Sequence, residues 1–195
     1  IARCERFPTR FYRPQRFDDL INPASELAGS NAPSVSRGVN YELGFRSQPT
    51  DRLLLDVSVF RIDFQDKIEQ IQVNIADVER INSGDSRHQG VEFNVEYQAW
   101  VMADRVFTVF GNGSLLDAEI THSVTANLEG NAPGFAPEYL LRGGFLYEDS
   151  HWNAALTATL VDEQFWQDSN AARGTGAGLI EAEIPAYEVL DFSLE

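Results

Sequence analysis

The chain of 195 residues has a single cysteine, Cys4, so no disulfide can form within it, and the Cys/His spacing of a zinc site is missing. Basic side chains are scarce. Fifteen Lys+Arg stand against thirty Asp+Glu, and the resulting formal net charge of −15 disfavours nucleic acid as a partner. No apolar run approaches the length of a membrane-spanning helix, about 20 residues, so a membrane could be crossed only by strands in a closed sheet. Signatures of catalysis are missing too: there is no Gly-x-Ser-x-Gly elbow, no His-Glu-x-x-His and no glycine-rich phosphate loop before a helix. The tract Arg173 to Gly178 imitates a nucleotide loop by composition but lacks the Lys and falls between strands. Acid pairs such as Asp18-Asp19 suggest no glycosidase dyad, and His88, His122 and His151 have no second ligand at a fixed spacing, so each reads as a surface histidine. An enzyme is not indicated.

What the chain does have is alternation. In Arg37 to Ser47, Val39, Tyr41, Leu43 and Phe45 oppose Asn40, Glu42, Gly44 and Arg46, the period of a strand. Ser86 to Gln98 repeats the rule, with Val91, Phe93, Val95 and Tyr97 opposed to Gly90, Glu92, Asn94 and Glu96, and Tyr139 to Tyr147 is a third such segment. An apolar face against lipid with a polar face against a wet lumen would read this way, and so would a half-buried strand of a soluble sandwich.

The connections discriminate. Compact turns at Gln48 to Asp51, Ala99 to Asp104 and Glu148 to His151 alternate with long stretches at Gln65 to Asp85, Asp117 to Pro137 and Asp162 to Pro185. That is the layout of an outer-membrane barrel, with short periplasmic turns and long extracellular loops. The spacing predicts an all-β, antiparallel transmembrane barrel fragment of about seven strands, too few to close a lumen without neighbours. Residues 1–36, rich in proline, read as an extracellular loop with a partial strand near Arg10 to Phe17, and 37–195 as barrel. The chain opens without a signal segment and stops at Glu195 within an alternating run, so a piece of a longer protein is expected.

The ordered series Asn40 to Arg46 (NYELGFR), Leu53 to Ile68, Gly90-Val91-Glu92, Leu116 to Ile120, Gly130 to Pro137 (GNAPGFAP), Glu163 to Ala171 and Ile184 to Tyr187 resembles the later barrel strands of TonB-dependent outer-membrane receptors, with similarity to their ferric-citrate-type branch. The resemblance implies a barrel of about twenty-two strands in the outer membrane of a Gram-negative bacterium, plugged by a separate N-terminal domain. It implies uptake of a scarce nutrient such as a ferric chelate, driven by the TonB–ExbB–ExbD complex through a segment ahead of the plug. Outer-membrane lipid and lipopolysaccharide would surround the wall. No cofactor is implied, since iron would travel only inside the chelate.

Such a chelate is anionic, so guanidinium forks and amides suit its carboxylate oxygens. Arg80 and Arg87, flanking the return of the first long connection, and Gln164, Gln167, Asn170 and Arg173 in the third are the candidates. Trp166 suits either stacking on an organic ligand or anchoring at the membrane interface. Glycines 44, 90, 111, 113, 143 and 144 lie inside strands, where a packed plug or relief of crowding would each explain them. Two other functions fit less well: a passive or structural barrel, which needs no plug, and a soluble β-sandwich, which needs an opposing sheet.

Overall fold

A computed structural model describes residues 2–6, 9–13, 33–72, 78–171 and 183–195. Every regular element among them is a strand, and consecutive long strands pair antiparallel. The edge position is shared by β1 (Ala2–Arg6) and β2 (Thr9–Arg13), which pair successive halves of β3 (Ser36–Thr50). There follow β4 (Leu53–Gln72), β5 (Val78–Met102), β6 (Arg105–Ser123), β7 (Tyr139–Glu148) and β8 (Asn153–Val161). A small ribbon of β9 (Gln164–Phe165) and β10 (Glu183–Ile184) intervenes before β11 (Tyr187–Leu194), which completes the wall against β8. Seven long strands are therefore present, as the alternation predicts, beside a broken edge strand built from residues 2–13. Most of the expected N-terminal loop, 14–32, lies outside the described residues.

The wall has one layer, and its two faces differ as the sequence pattern requires. Cross-strand register aligns Leu43, Val59, Val91, Leu115 and Tyr139 in one row. Two rows further toward the short turns come Leu55, Val95, Gly111, Gly143, Ala158 and Leu190, all facing the same way. On β6 this apolar face runs from Phe107 to Leu115, about 27 Å along the strand and about 21 Å in height at a tilt of about 40°. That matches the hydrocarbon band of an outer membrane. Tyr41, Leu43, Phe45, Val59, Tyr97 and Phe145 are all exposed on it, and among the described residues the buried apolar side chains are few: Ile120, Val161 and the prolines 33 and 133. A sandwich would have covered this stripe with a second sheet.

The connections are shorter than the sequence suggests. Ala103 adopts a left-handed φ of 53°, which tightens the second turn to two residues. On the other side β4 and β5 continue as paired strands to Gln72 and from Val78, so most of Gln65 to Asp85 is sheet and not loop. Polar composition misled here, because strands that rise beyond a membrane meet water on both faces and lose their alternation. The same applies to β6, which extends to Ser123.

Candidate functional site

On the opposite face the polar members of each strand converge. Glu42, Arg46, Asp56, Ser58, Glu92, Asn94, Asn112 and Ser114 line a concave cavity of about 600 Å³. Arg46 forms an ion pair with Asp56 on the neighbouring strand. Small side chains between the charges keep the surface open; a Cβ at Gly90 would meet the Leu115 carbonyl at 2.2 Å and the ring of Phe60 at 2.9 Å, so only glycine fits beneath that ring. Gly111, Gly113 and Gly143 lie in the apolar rows, so a plug against the polar face is no reason for those three.

Above this face two loops lock together. Residues 124–138 double back along β6, where Gly130 donates to the Ile120 carbonyl and Ile120 to that of Asn131. The segment after β8 then grips it: Asp168 accepts from the Gly134 amide at 2.8 Å and, through its backbone carbonyl, from Asn131 Nδ2 at 3.0 Å. Asn170 reads both backbone groups of Ala132, accepting its N–H at 2.9 Å and donating to its carbonyl at 2.7 Å. Phe135 donates to the Phe165 carbonyl at 2.8 Å, and its ring meets Trp166 edge-on with centroids 5.0 Å apart. The approach is close enough that a Cβ at Gly134 would sit 3.0 Å from the Trp166 carbonyl oxygen. Phe135 and Asn170 both hold left-handed φ, 60° and 50°. Such a conformation persists in a bulky residue only where its surroundings impose it.

The interlocked pair reaches back across the wall. Lys67, the only lysine in the chain, lies 3.3 Å from Asp168. A bulge aims it there. Between Phe64 and Lys67, three steps of β4 match two of β5, from Ser86 to Gly84, which flips the alternation and turns Lys67 to the polar face. Asp66 forms the bulge at φ 57°, its carbonyl accepting from Ser36 Oγ and Asn82 Nδ2 and its N–H donating to Asp85. Because β5, β6 and β7 separate β4 from β8, the contact spans about 19 Å of wall. The loop after β8 thus reaches a side chain of β4 across the intervening strands.

The sequence-derived candidates divide under this geometry. Asn170 is committed to Ala132. Arg87 sits opposite Asp63 in a row shared with Val39 and Glu119, on the side of the apolar stripe, and contacts Asp63 at 3.3 Å. Arg80 is half-buried in β5 opposite Gln70. Gln164 pairs with Ile184, while Gln167 and Trp166 are exposed on the flap, Trp166 at 47%. Arg173 lies outside the described residues. Sequence reasoning missed Lys67 and Asp168; the one signal for Lys67 was that lysine occurs nowhere else. Among the described residues no three His, Cys, Asp or Glu side chains converge as a metal site. Beside the ribbon, Glu163 shares a hydrogen bond with the Glu183 carboxyl, which with their mutual repulsion raises the Glu163 pKa above its ordinary value.

A tall, single-layer, two-faced antiparallel wall with short turns at one end and longer loops at the other is a segment of the wall of a large β-barrel. The chain belongs to the TonB-dependent receptors: residues 9–195 match the family described as TonB dependent receptor-like, beta-barrel. No curated protein matches the chain. Among solved structures it is similar to the ferric yersiniabactin uptake receptor FyuA from Yersinia pestis, with a TM-score of 0.72 and 22% identity over 99% of this chain and 27% of that one. It also resembles the ferric citrate transporter FecA in its unliganded form (TM-score 0.64, 21% identity, 82% of this chain, 23% of the other). The copper transporter OprC gives a TM-score of 0.71 at 18% identity over 99% of this chain and 28% of that one. The chain thus spans about a quarter of the length of each of these structures. The family consists of transport receptors of the Gram-negative outer membrane.

Proposed function

We propose that this chain supplies part of the barrel wall and of the outer mouth of a receptor that imports a ferric chelate in the outer membrane. The TonB–ExbB–ExbD complex would drive uptake by acting on a part of the receptor outside this sequence. The observation that carries the proposal is the flap itself. Two loops interlocked by five hydrogen bonds and tied to Lys67 form an ordered flap along this part of the wall, which supports a mouth built for capture of a solute over one built for free diffusion. Arg80 at the rim and Gln164, Trp166 and Gln167 on the flap are the residues we assign to the chelate, the guanidinium and amides for its carboxylate oxygens and the indole for its organic face. Arg87 and Asn170 are left out, since their side chains serve the wall and the loop pair.

The full-length receptor, returned to a strain lacking it, should restore uptake of radioactive iron supplied as ferric citrate only when TonB is present. Uptake that persists without TonB, with open conductance in planar bilayers, would instead make the protein a passive barrel. Uptake of another metal complex in preference to iron would move the substrate class and leave the receptor standing. In the same assay Arg80→Ala combined with Gln167→Ala should weaken chelate binding about tenfold, the loss of one or two charge-assisted hydrogen bonds.

A further inference from the structure

One irregularity of β4 serves one side chain. By strand parity Lys67 would point outward with Arg61 and Asp63, and the bulge at Asp66 turns it to the polar face. The left-handed Asp66 is held by Ser36 and Asn82, which donate to its carbonyl, and by Asp85, which accepts its N–H. At the other end Asp168 uses three acceptors: Oδ1 for the Gly134 amide, Oδ2 for the Lys67 ammonium and its carbonyl for Asn131 Nδ2. It therefore joins its own loop to residues 124–138, and both to β4. Glu69 takes another donor of the same ammonium, which has three, so the two carboxylates are served together. The side chains of Lys67 and Asp168 are 36% and 25% exposed, so water screens their contact less than on an open surface. Trp166 and Gln167 directly precede Asp168 in the chain. Whatever fixes Asp168 fixes them.

We propose that Lys67 and Asp168 are positioning residues, whose ion pair holds the flap to β4 and so sets where Trp166 and Gln167 stand when a chelate binds. The inference rests on the proposed uptake reading, which assigns those two residues to the chelate, and adds the device that orients them. Bonds between the loops fix the shape of the flap, and bonds to Ile120 fix one end of it on β6; the ion pair fixes the other end against β4. Without the pair the flap keeps its fold but has more than one place to stand. Only a fraction of receptors then presents Trp166 and Gln167 correctly, and affinity falls by that fraction. In this role neither Lys67 nor Asp168 touches the chelate.

The test uses two variants of the full-length receptor. Asp168→Asn keeps an acceptor for the Gly134 amide and loses the charge, while Lys67→Met keeps the length of the side chain and loses the ammonium. In cells each should raise the half-saturating concentration for TonB-dependent uptake of ferric citrate about fivefold, the effect of one partly exposed ion pair, without lowering the maximal rate. Lys67→Arg should restore the wild-type value. The same proteins in nanodiscs, cysteine-free apart from spin labels at Gln65 and Ser169, report the distance from β4 to the flap by double electron–electron resonance with no chelate present. Wild type and Lys67→Arg should give one narrow distance, and the other two variants a broadened distribution. An unchanged half-saturating concentration in both charge-removing variants overturns the proposal, as does a lower maximal rate at unchanged half-saturation, which marks a role in assembly. Should wild type take up no ferric citrate, the uptake reading fails and the distances decide alone: broadening upholds the pair as what positions the flap, and a wild-type width in both variants removes it.

Discussion

Asn170 shows how much one side chain does in the flap. It sits at a φ of 50°, a conformation asparagine tolerates better than most residues, and its carboxamide closes a two-bond bridge to Ala132. Asn170→Ala loses both bonds and keeps the backbone strain, so the flap should be loosened by about 2 to 3 kcal/mol. Asn170→Gly removes the strain as well as the bonds and should cost less. Hydrogen exchange at the Ala132 and Gly134 amides of the intact receptor measures these effects; protection equal to wild type in both variants would show that the bridge contributes nothing.

Glu163 makes a pH-dependent contribution of the opposite sign to an ordinary ion pair. Its pKa in the folded protein is raised from 4.5 by the shared hydrogen bond and charge of Glu183. Between the unfolded and the higher folded value the folded state holds the extra proton. The β9–β10 ribbon is therefore favoured below that window and loses stability as pH rises through it. Glu163→Gln should flatten this dependence while keeping a hydrogen bond to Glu183. Collisional quenching of Trp166 fluorescence from about pH 4 to 8 reads it, in a background with Trp100 and Trp152 changed to Phe. A pH-dependent step that survives in Glu163→Gln would assign it to another group.

At the scale of the element, each strand acts as a two-sided ruler. Phe93 and its neighbour Asn94 differ by one residue and by an entire environment, since Phe93 lies in the row of Phe45, Val57 and Leu141 and Asn94 lines the concave cavity. Phe93→Arg should destabilise the barrel by about 2 to 4 kcal/mol if its level is the bilayer midplane, and Asn94→Arg should be tolerated. Folding titrations of the full-length protein into lipid vesicles provide the comparison, and matched losses would refute the sidedness. The strands were legible because lipid and lumen impose opposite demands on adjacent residues, as at Val91 to Glu96. Where β4 and β5 climb past Arg61 and Arg87, both faces meet water and the pattern vanishes, which is why paired strand beyond Phe64 looked like loop. The site was less legible still. Arg87 has the residue type of an anion contact, but its orientation depends on register parity, and the contact between Lys67 and Asp168 depends on a bulge that composition does not announce.

For the whole molecule, the described wall has no interior of its own. Its apolar face needs lipid, and its polar face needs whatever occupies the lumen. At the edges of the wall, backbone donors and acceptors of β11 and of β1 and β2 face no described strand. Unlike a soluble domain, the isolated piece should associate through these edges and through residues such as Leu190 and Phe192, which are 72% and 70% exposed. Analytical ultracentrifugation in water should find aggregates, and a stable monomer without detergent would contradict the membrane assignment.

The bond between the two loops also bears on how an antibody would recognise this surface. Residues 124–138 take their shape from Phe165, Asp168 and Asn170, so the outermost surface of the flap is a composite epitope drawn from two separated stretches of chain. A peptide copying either loop would not display it, and an immunogen meant to elicit antibodies against the intact cell would have to carry both loops on a shared scaffold.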